Sequence, residues 1–423
     1  MKKTTLENWL AKKICVEKLS KENLREYQLN QIKNTVEYAK AKSSFYKDLF
    51  HDIDTTNFSW EKFVNIPFSD SQNLKEQGSK MLCVTQDDIY RIVTLSTSGT
   101  TDKPKRVYFT KADQELTIDF FCNGMQNITT ANENFLILLP TKTPGCVGDL
   151  LRQGIERFGV IAHPYSVPTD FEHTLNYMIE NQITGVLANP EHLLALAELA
   201  DMKGIKHQLN SVLMATDYIA ESLKKRIAEV FGCTVFQHYG MTEMGLLGGV
   251  SCSAKKGYHT CEGDLYIEII DPKTGKNLPD GSWGEIVFTT LTREAMPFIR
   301  YRTGDSGRFL VEPCACGTIM RTLDKVSHRL DGNNFNITDF DEAIFAIKGI
   351  FNYDIQIDKE KQIISINAYI LNDHSDYINQ VIKAVKPIAQ GYNVKAKTTI
   401  GFNSGHYQLR KRKIDYVLCS RRN

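Results

Sequence analysis

TLSTSGTTDKPK, residues 94–105, sets the hydroxyls of Ser96, Thr97, Ser98, Thr100 and Thr101 around Gly99, with Lys103 and Lys105 close behind. A loop that closes round a polyphosphate needs small residues whose backbone N–H groups and hydroxyls converge, and this stretch supplies them. The flanking runs RIVTL (Arg91–Leu95) and RVYFT (Arg106–Thr110) are β-branched and apolar, so a tight loop between two strands is expected. The nucleoside-triphosphatase phosphate loop ends in Gly-Lys-Ser/Thr and opens a helix; neither feature is present here. Taken alone, such a stretch also suits an ordinary solvated turn.

Outward from the loop, strand-like runs alternate with helix-like ones. NFLILLP (Asn134–Pro140) comes first; ITGVLANP (Ile183–Pro190) precedes EHLLALAELA, NSVLMATDY (Asn210–Tyr218) precedes AESLKKRIAEVFG, and TVFQHYG follows. This alternation predicts a mostly parallel sheet covered by helices. Ligands are then expected beyond the carboxyl ends of the strands, where ATDY (Ala215–Tyr218) and HYGMTE fall. Residues 1–50 are helical in type, with Leu24, Leu29, Ile32, Val36 and Ala39 at three- and four-residue steps.

After residue 260 the pattern turns antiparallel: DLYIEIIDPKTGKNLPDGSWGEIVFTTL is two alternating runs joined by a Pro/Gly/Asn-rich turn. A further shift near Ser327 leads into a hairpin pattern, DIQIDKEKQIISINAYI, a helix with Ile378, Val381, Ile382, Val385 and Ile388 on one face, the strand VKAKTTI and a basic tail. The expected fold is α/β: a large domain over 1–326, with mostly parallel sheets and an antiparallel β subdomain, and a small, mobile α+β domain over 327–423.

Lys plus Arg (51) nearly balance Asp plus Glu (50), so no basic field draws nucleic acid or an anionic membrane, and neither is an expected partner. The N-terminus has no continuous apolar core of a signal peptide, and no window of eighteen uninterrupted apolar residues follows. With ten cysteines outside any dense regular spacing, the expectation is a cytoplasmic chain whose thiols stay free or bind metal.

HYGMTEMG (His238–Gly245) and RYRTGD (Arg300–Asp305) follow the loop in order. Together the three resemble the core motifs of the adenylate-forming superfamily of acyl-CoA synthetases, non-ribosomal adenylation domains and luciferases. The branch most similar is the phenylacetate–CoA ligase-like one, through REYQLNQIKNTVEYAKAKSSFYKDLF (Arg25–Phe50) and EIIDPKTGKNLPDGSWGEIVFTTLTREAMPFIRYRTGD (Glu268–Asp305).

The resemblance implies attack of a carboxylate on the α-phosphorus of ATP, with Mg²⁺ neutralising phosphate charge. It puts Thr97, Ser98, Gly99, Thr100, Thr101 and Lys105 at the triphosphate, Thr242 at the α-phosphate and Glu243 on Mg²⁺. Tyr239 would pack on adenine, Gly240 beside it would bind the nucleotide, with Asp217 of ATDY in the same crevice, and Asp305 would accept from both ribose hydroxyls. One departure stands out: the paired threonines are usually followed by glycine, and here by Asp102.

SHRLDG (Ser327–Gly332) keeps the Arg329 and Asp331 of the superfamily hinge, implying a nucleotide contact and a pivot. The strand and the glycine that admit pantetheine have no clear counterpart in NNFNITDFDEAIF. In the tail LRKRKIDYV (Leu409–Val417), Lys411 best fits the register of the catalytic lysine, with Lys413 the alternative. Separately, Cys252, His259, Cys314 and Cys316, with Cys261 as a substitute, offer a tetrahedral structural Zn²⁺ set or stay as buried free thiols.

The implied activity is formation of an acyl-adenylate from an aromatic acid, then transfer to CoA. A carrier-protein or amine acceptor, or a nucleotide-binding regulator without turnover, are the alternatives, and a homodimer is compatible with either.

Overall fold

Helix Lys21–Lys42 begins at Ser20, whose hydroxyl accepts from the Asn23 N–H while the Asn23 side chain accepts from the Ser20 N–H. Its three- and four-residue spacing buries Leu24, Gln28, Ile32, Thr35, Val36 and Ala39 along one stripe. The computed structural model describes residues 2–95, 104–215, 219–326, 335–372, 376–401 and 414–417. The chain divides into two compact units, one of Met1–Ala131, Lys142–Val160 and Phe236–Asp331, the other of Asn132–Thr141, Ile161–Val235 and Gly332–Asn423.

The first unit holds the N-terminal helices and the hairpin of Arg91–Leu95 with Lys105–Phe109, antiparallel from Arg91↔Phe109 to Leu95↔Lys105. Both strands fall where the flanks of the opening stretch predict. Three antiparallel strands, Leu265–Ile270, Gly284–Thr290 and Tyr301–Gly307, form a sheet in that order. Val287 pairs with Arg302 and Phe288 with Tyr301, and the register shifts between Glu285 and Val287. RYRTGD therefore lies on a strand, although Thr-Gly-Asp is turn chemistry. Thr303, Gly304 and Asp305 oppose the single residue Ile286 there, and Gly304 at φ +76 absorbs the irregularity that this bulge imposes.

Arg300 fixes this sheet to the N-terminal region. Only 2% exposed, it forks onto Glu268 (3.0 and 3.2 Å) and donates to the carbonyls of Val64 and Ile66. A buried guanidinium needs that many acceptors, because removing one partner of such a pair costs about 3–5 kcal/mol.

The second unit carries the parallel strands Ser211–Met214, Gly185–Ala188, Asn134–Ile137 and Ile161–Pro164, adjacent in that order. Their runs are almost wholly apolar, as strands covered on both faces require. Helix Pro190–Met202 is buried from Pro190 through Ala200, which an amphipathic helix on a surface would not be.

Part of that helix's cover is the C-terminal segment, where a four-stranded sheet runs in the order Asn393–Ile400, Ile363–Ile370, Ile350–Asp358, Ile414–Tyr416. Ile364, Ile366, Ala368 and Ile370 alternate inward and share one core with Leu193, Leu196, Ile227 and Phe231. The fold is α/β as expected: parallel strands under helices, an antiparallel β region and a C-terminal α+β segment. Among the described residues no helix is long and apolar enough to cross a membrane.

Candidate active site

Strand Thr234–Tyr239 pairs antiparallel with Gly249–Val250, His238 against Val250 and Tyr239 against Gly249. The HYGMTEMG run therefore does not start after a strand, as its sequence suggests; His238 and Tyr239 are the strand's last residues. Gly240 has no room for a side chain, since a Cβ there would lie 2.8 Å from His238 Cε1 and 3.1 Å from the Leu246 carbonyl oxygen. The chain then turns: the N–H groups of Met244 and Leu246 donate to the Met241 carbonyl and that of Gly245 to the Thr242 carbonyl. The turn carries Thr242 and Glu243.

Strand Tyr301–Gly307 meets both ends of this run. The Tyr239 hydroxyl donates to Asp305 Oδ2 at 3.1 Å, and the Tyr301 hydroxyl donates to Glu243 Oε1 at 3.4 Å. Burial first, and the Asp305 carboxylate second, raise the Tyr239 phenol far above its ordinary value, so it stays a donor. The N–H of Asp305 donates to Thr303 Oγ1 at 3.0 Å, which fixes the backbone under the carboxylate.

Glu243 is 1% exposed, and Lys105 donates to its Oε1 at 2.6 Å. Lys105 opens the strand that follows the Ser/Thr loop, and Leu95, its Cα partner, closes the strand before it. The loop's two ends are thus anchored beside the buried carboxylate. Arg293 supports the turn from beneath: it donates to the Glu243 carbonyl at 2.6 Å and to that of Tyr108 at 3.3 Å. Its guanidinium lies over the rings of Phe109 and Phe298. Burial pushes the Arg293 group down to about 10, opposed by Asp113 and Glu243, which leaves it charged.

Lys105, Tyr239, Gly240, Thr242, Glu243 and Asp305 therefore share one neighbourhood of the first unit. Thr97, Ser98, Gly99, Thr100, Thr101, Asp217, Arg329, Asp331, Lys411 and Lys413 lie outside the described residues. The sequence did not single out Tyr301 or Arg293. Both stand in the TREAMPFIRYRTGD run quoted for its resemblance, and their roles depend on contacts 50 and 58 residues distant that no local pattern carries.

Apart from this neighbourhood, Cys252, His259, Cys314 and Cys316 place one ligand atom each within 4.8 Å of one another. Cys252 Sγ is 3.6 Å from Cys314 Sγ, and Cys316 Sγ is 3.5 Å from His259 Nε2. Cys261 is not in the group: its thiol is turned to Asp264 Oδ2 at 3.3 Å.

Comparison with known proteins agrees with this geometry. The AMP-binding enzyme family matches residues 21–292. Phenylacetate-coenzyme A ligase of Thermus thermophilus is 27% identical over 364 residues, covering 82% of this chain and 80% of that one. The Pseudomonas putida enzyme of the same name is 28% identical over 379 residues, covering 84% and 83%. In fold, the chain is similar to 2-hydroxyisobutyryl-CoA ligase in the postadenylation state, with a TM-score of 0.78 at 18% identity, covering 92% of this chain and 89% of that one. With the family match spanning well over half its length, the chain belongs to the AMP-binding enzymes, on the phenylacetate–CoA ligase-like branch of the adenylate-forming superfamily.

Proposed function

We propose that this protein is a cytoplasmic, ATP-dependent, AMP-forming acid–CoA ligase that converts an aromatic carboxylic acid to its acyl-adenylate and then to its CoA thioester. The observation that carries this reading is the strand Tyr301–Gly307, which sets Asp305 against Tyr239 and Tyr301 against Glu243. A ribose acceptor on the strand and, on the neighbouring turn, a carboxylate for the metal that accompanies the phosphates are thereby held by one rigid element.

In the first step Asp305, oriented by the Tyr239 hydroxyl, accepts from the ribose hydroxyls, and Tyr239 with Gly240 forms the adenine wall. Thr97, Ser98, Gly99, Thr100 and Thr101 cover the triphosphate, Lys105 adds positive charge at its edge, and Thr242 donates at the α-phosphate. Asp217 would serve the same nucleotide. Lys411 and Arg329 supply positive charge where the carboxylate meets the α-phosphorus, and pyrophosphate leaves. In the second step the CoA thiol attacks the acyl carbonyl and AMP departs.

Mg²⁺ usually binds through one or two carboxylates plus substrate phosphates. Glu243, buried and neutralised by a lysine that can turn to a phosphate, suits that demand. The ion would lower the charge on the departing pyrophosphate. Asp331 is the pivot about which the segment 327–423 turns between the steps, removing Lys411 before the thiol enters. The Cys252, His259, Cys314 and Cys316 cluster takes no part in this chemistry and is the seat of a structural zinc ion.

The aromatic acid is supported by the names of the relatives from Thermus and Pseudomonas. Pyrophosphate release with a panel of aromatic and aliphatic acids, with and without CoA, tests the proposal. Acid-dependent release with AMP and a thioester formed in the presence of CoA is expected. Acid-dependent release with no thioester favours a carrier-protein or amine acceptor, a reading that the shortened segment after SHRLDG supports. ATP binding without any acid-dependent release would leave only a nucleotide-binding regulator.

A further inference from the structure

We infer that Cys252, His259, Cys314 and Cys316 bind one Zn²⁺ as a closed, four-ligand clip that joins the segment carrying Cys252 and His259 to the one carrying Cys314 and Cys316 in the first unit. Three thiolates and one imidazole form a donor set that favours zinc among the common divalent ions. With Zn–S near 2.3 Å and Zn–N near 2.05 Å, tetrahedral angles demand about 3.8 Å between two sulfurs and about 3.6 Å between sulfur and nitrogen. The observed separations are 3.6 Å for Cys252 to Cys314 and 3.5 Å for Cys316 to His259, and every ligand atom lies within 4.8 Å of the others. Such separations are also ordinary contact distances; what marks the site is that four ligand-type atoms, from two segments distant in sequence, converge within 4.8 Å of one another.

The backbone around the ligands is arranged for the same purpose. After Cys252 the chain turns back, with the Lys255 N–H donating to the Cys252 carbonyl at 3.0 Å and the Ala254 N–H reaching Cys252 Sγ at 3.4 Å. After Cys314 the Gly317 N–H donates to the Cys314 carbonyl at 2.9 Å, with Gly317 at φ +81. His259 sits in strand Tyr258–Thr260 opposite Thr322. Its Nδ1 is 3.4 Å from the Arg321 carbonyl, so Nδ1–H donates there and Nε2 keeps its lone pair toward the cluster.

The helix Thr5–Lys13 is tied to both loops. Glu7 Oε2 accepts from the Thr318 hydroxyl at 2.6 Å and the Ile319 N–H at 3.1 Å, and the Ser253 hydroxyl donates to the Lys2 carbonyl at 3.0 Å. A metal joining Cys252 to Cys314 therefore closes the ring that these bonds begin. With four protein ligands it leaves no open coordination position, so its contribution is to stability and not to catalysis.

The test is elemental analysis of the full chain purified without added metal, with about one zinc per chain expected. Exchange for Co²⁺ should give the visible bands of tetrahedral cobalt and a near-ultraviolet thiolate charge-transfer band. Cys252→Ser and Cys314→Ser should each lose the zinc, whereas His259→Cys should keep it and shift the cobalt spectrum toward four sulfurs, which guards against variants that merely misfold. Stripping the wild type with a chelator should lower its melting temperature and open trypsin cleavage near Lys12 and Lys13. Zinc near zero in a folded chain, with all thiols reacting freely, overturns the inference while leaving the ligase reading intact. Zinc in full occupancy with no acid-dependent pyrophosphate release sinks the ligase reading and leaves the clip intact.

Discussion

Asp305→Ala should abolish the protein's ability to sense the ribose of ATP. In the free protein the Asp305 carboxylate accepts one hydrogen bond from the Tyr239 hydroxyl at 3.1 Å; with nucleotide bound it would accept two more, from the vicinal hydroxyls. Hydrogen bonds to a charged group contribute about 1.5–3 kcal/mol each, so two are worth about 3–6 kcal/mol. At about 1.4 kcal/mol per factor of ten, the lower bound is a loss of roughly 150-fold in affinity for Mg-ATP.

Affinity alone does not separate a lost contact from a damaged site, so the informative measurement is a cycle. Calorimetry would compare ATP with 2′,3′-dideoxy-ATP in the wild type and in Asp305→Ala. The wild type should prefer ATP by about two orders of magnitude or more, and the variant by less than about tenfold, because the group that reads the hydroxyls is gone. Tyr239→Phe, which removes only the orienting hydroxyl, should keep most of the preference. If Asp305→Ala still discriminates as strongly as the wild type, the ribose is read elsewhere and the nucleotide site is misplaced.

Lys105→Met strips the buried Glu243 carboxylate of its cation and should cost about 3 kcal/mol in urea denaturation; combined with Glu243→Gln the losses should fall well short of additive, and simple additivity would show that the 2.6 Å pair is not energetically coupled. Lys411→Ala should abolish acyl-adenylate formation while sparing thioester formation from a supplied acyl-adenylate; selective loss in Lys413→Ala instead would place the register two residues later. His192, held down to about 4 by burial, stays neutral in the fold while the unfolded chain takes up a proton below about pH 6.5. Its share of stability is therefore present above that pH and lost as pH falls toward 4, about 2 kcal/mol of it between pH 7 and 5. His192→Leu should shrink the wild type's loss over that interval by the same amount, and an unchanged pH dependence would show that the imidazole is hydrated.

The hairpin around the Ser/Thr loop and the alternation of strands and helices were legible in the sequence because they rest on periods of two and three to four residues. Leu95↔Lys105 closes the ladder where the β-branched runs end, and Ile364, Ile366, Ala368 and Ile370 alternate inward as written. The strand placement of RYRTGD was not legible, because the pairing of Gly284 with Gly307 and Glu285 with Ser306 joins residues with no local pattern in common. The four metal-type side chains were recognisable by chemistry, yet the exclusion of Cys261 depended on Asp264 standing beside it. Buried ion pairs such as Arg300 with Glu268, 32 residues apart, leave no periodic trace at all.

The placement of Tyr301 and Asp305 on one strand has a consequence for how the site is specified. Between the pairs Val287↔Arg302 and Glu285↔Ser306 the strand carries Thr303, Gly304 and Asp305 against the single residue Ile286, so Asp305 stands in the bulge while Tyr301 stands in the ladder. The turn from Tyr239 to Glu243 meets the strand at Asp305 and at Tyr301, so the spacing between the proposed ribose acceptor and the proposed metal carboxylate is set by a paired strand and its bulge. That ladder has one correct register, with Val287 against Arg302 and Phe288 against Tyr301. A slip of one residue would turn the Tyr301 hydroxyl to the opposite face. The bulge between Glu285 and Val287 resists such a slip, because Gly304, at φ +76, fits it and its N–H donates to Glu285 Oε1 at 3.1 Å. Arg302, also bound to Glu285, pins the same point. Glu285 and Gly304, which need not touch the nucleotide, therefore fix the geometry by which Asp305 and Glu243 would bind it.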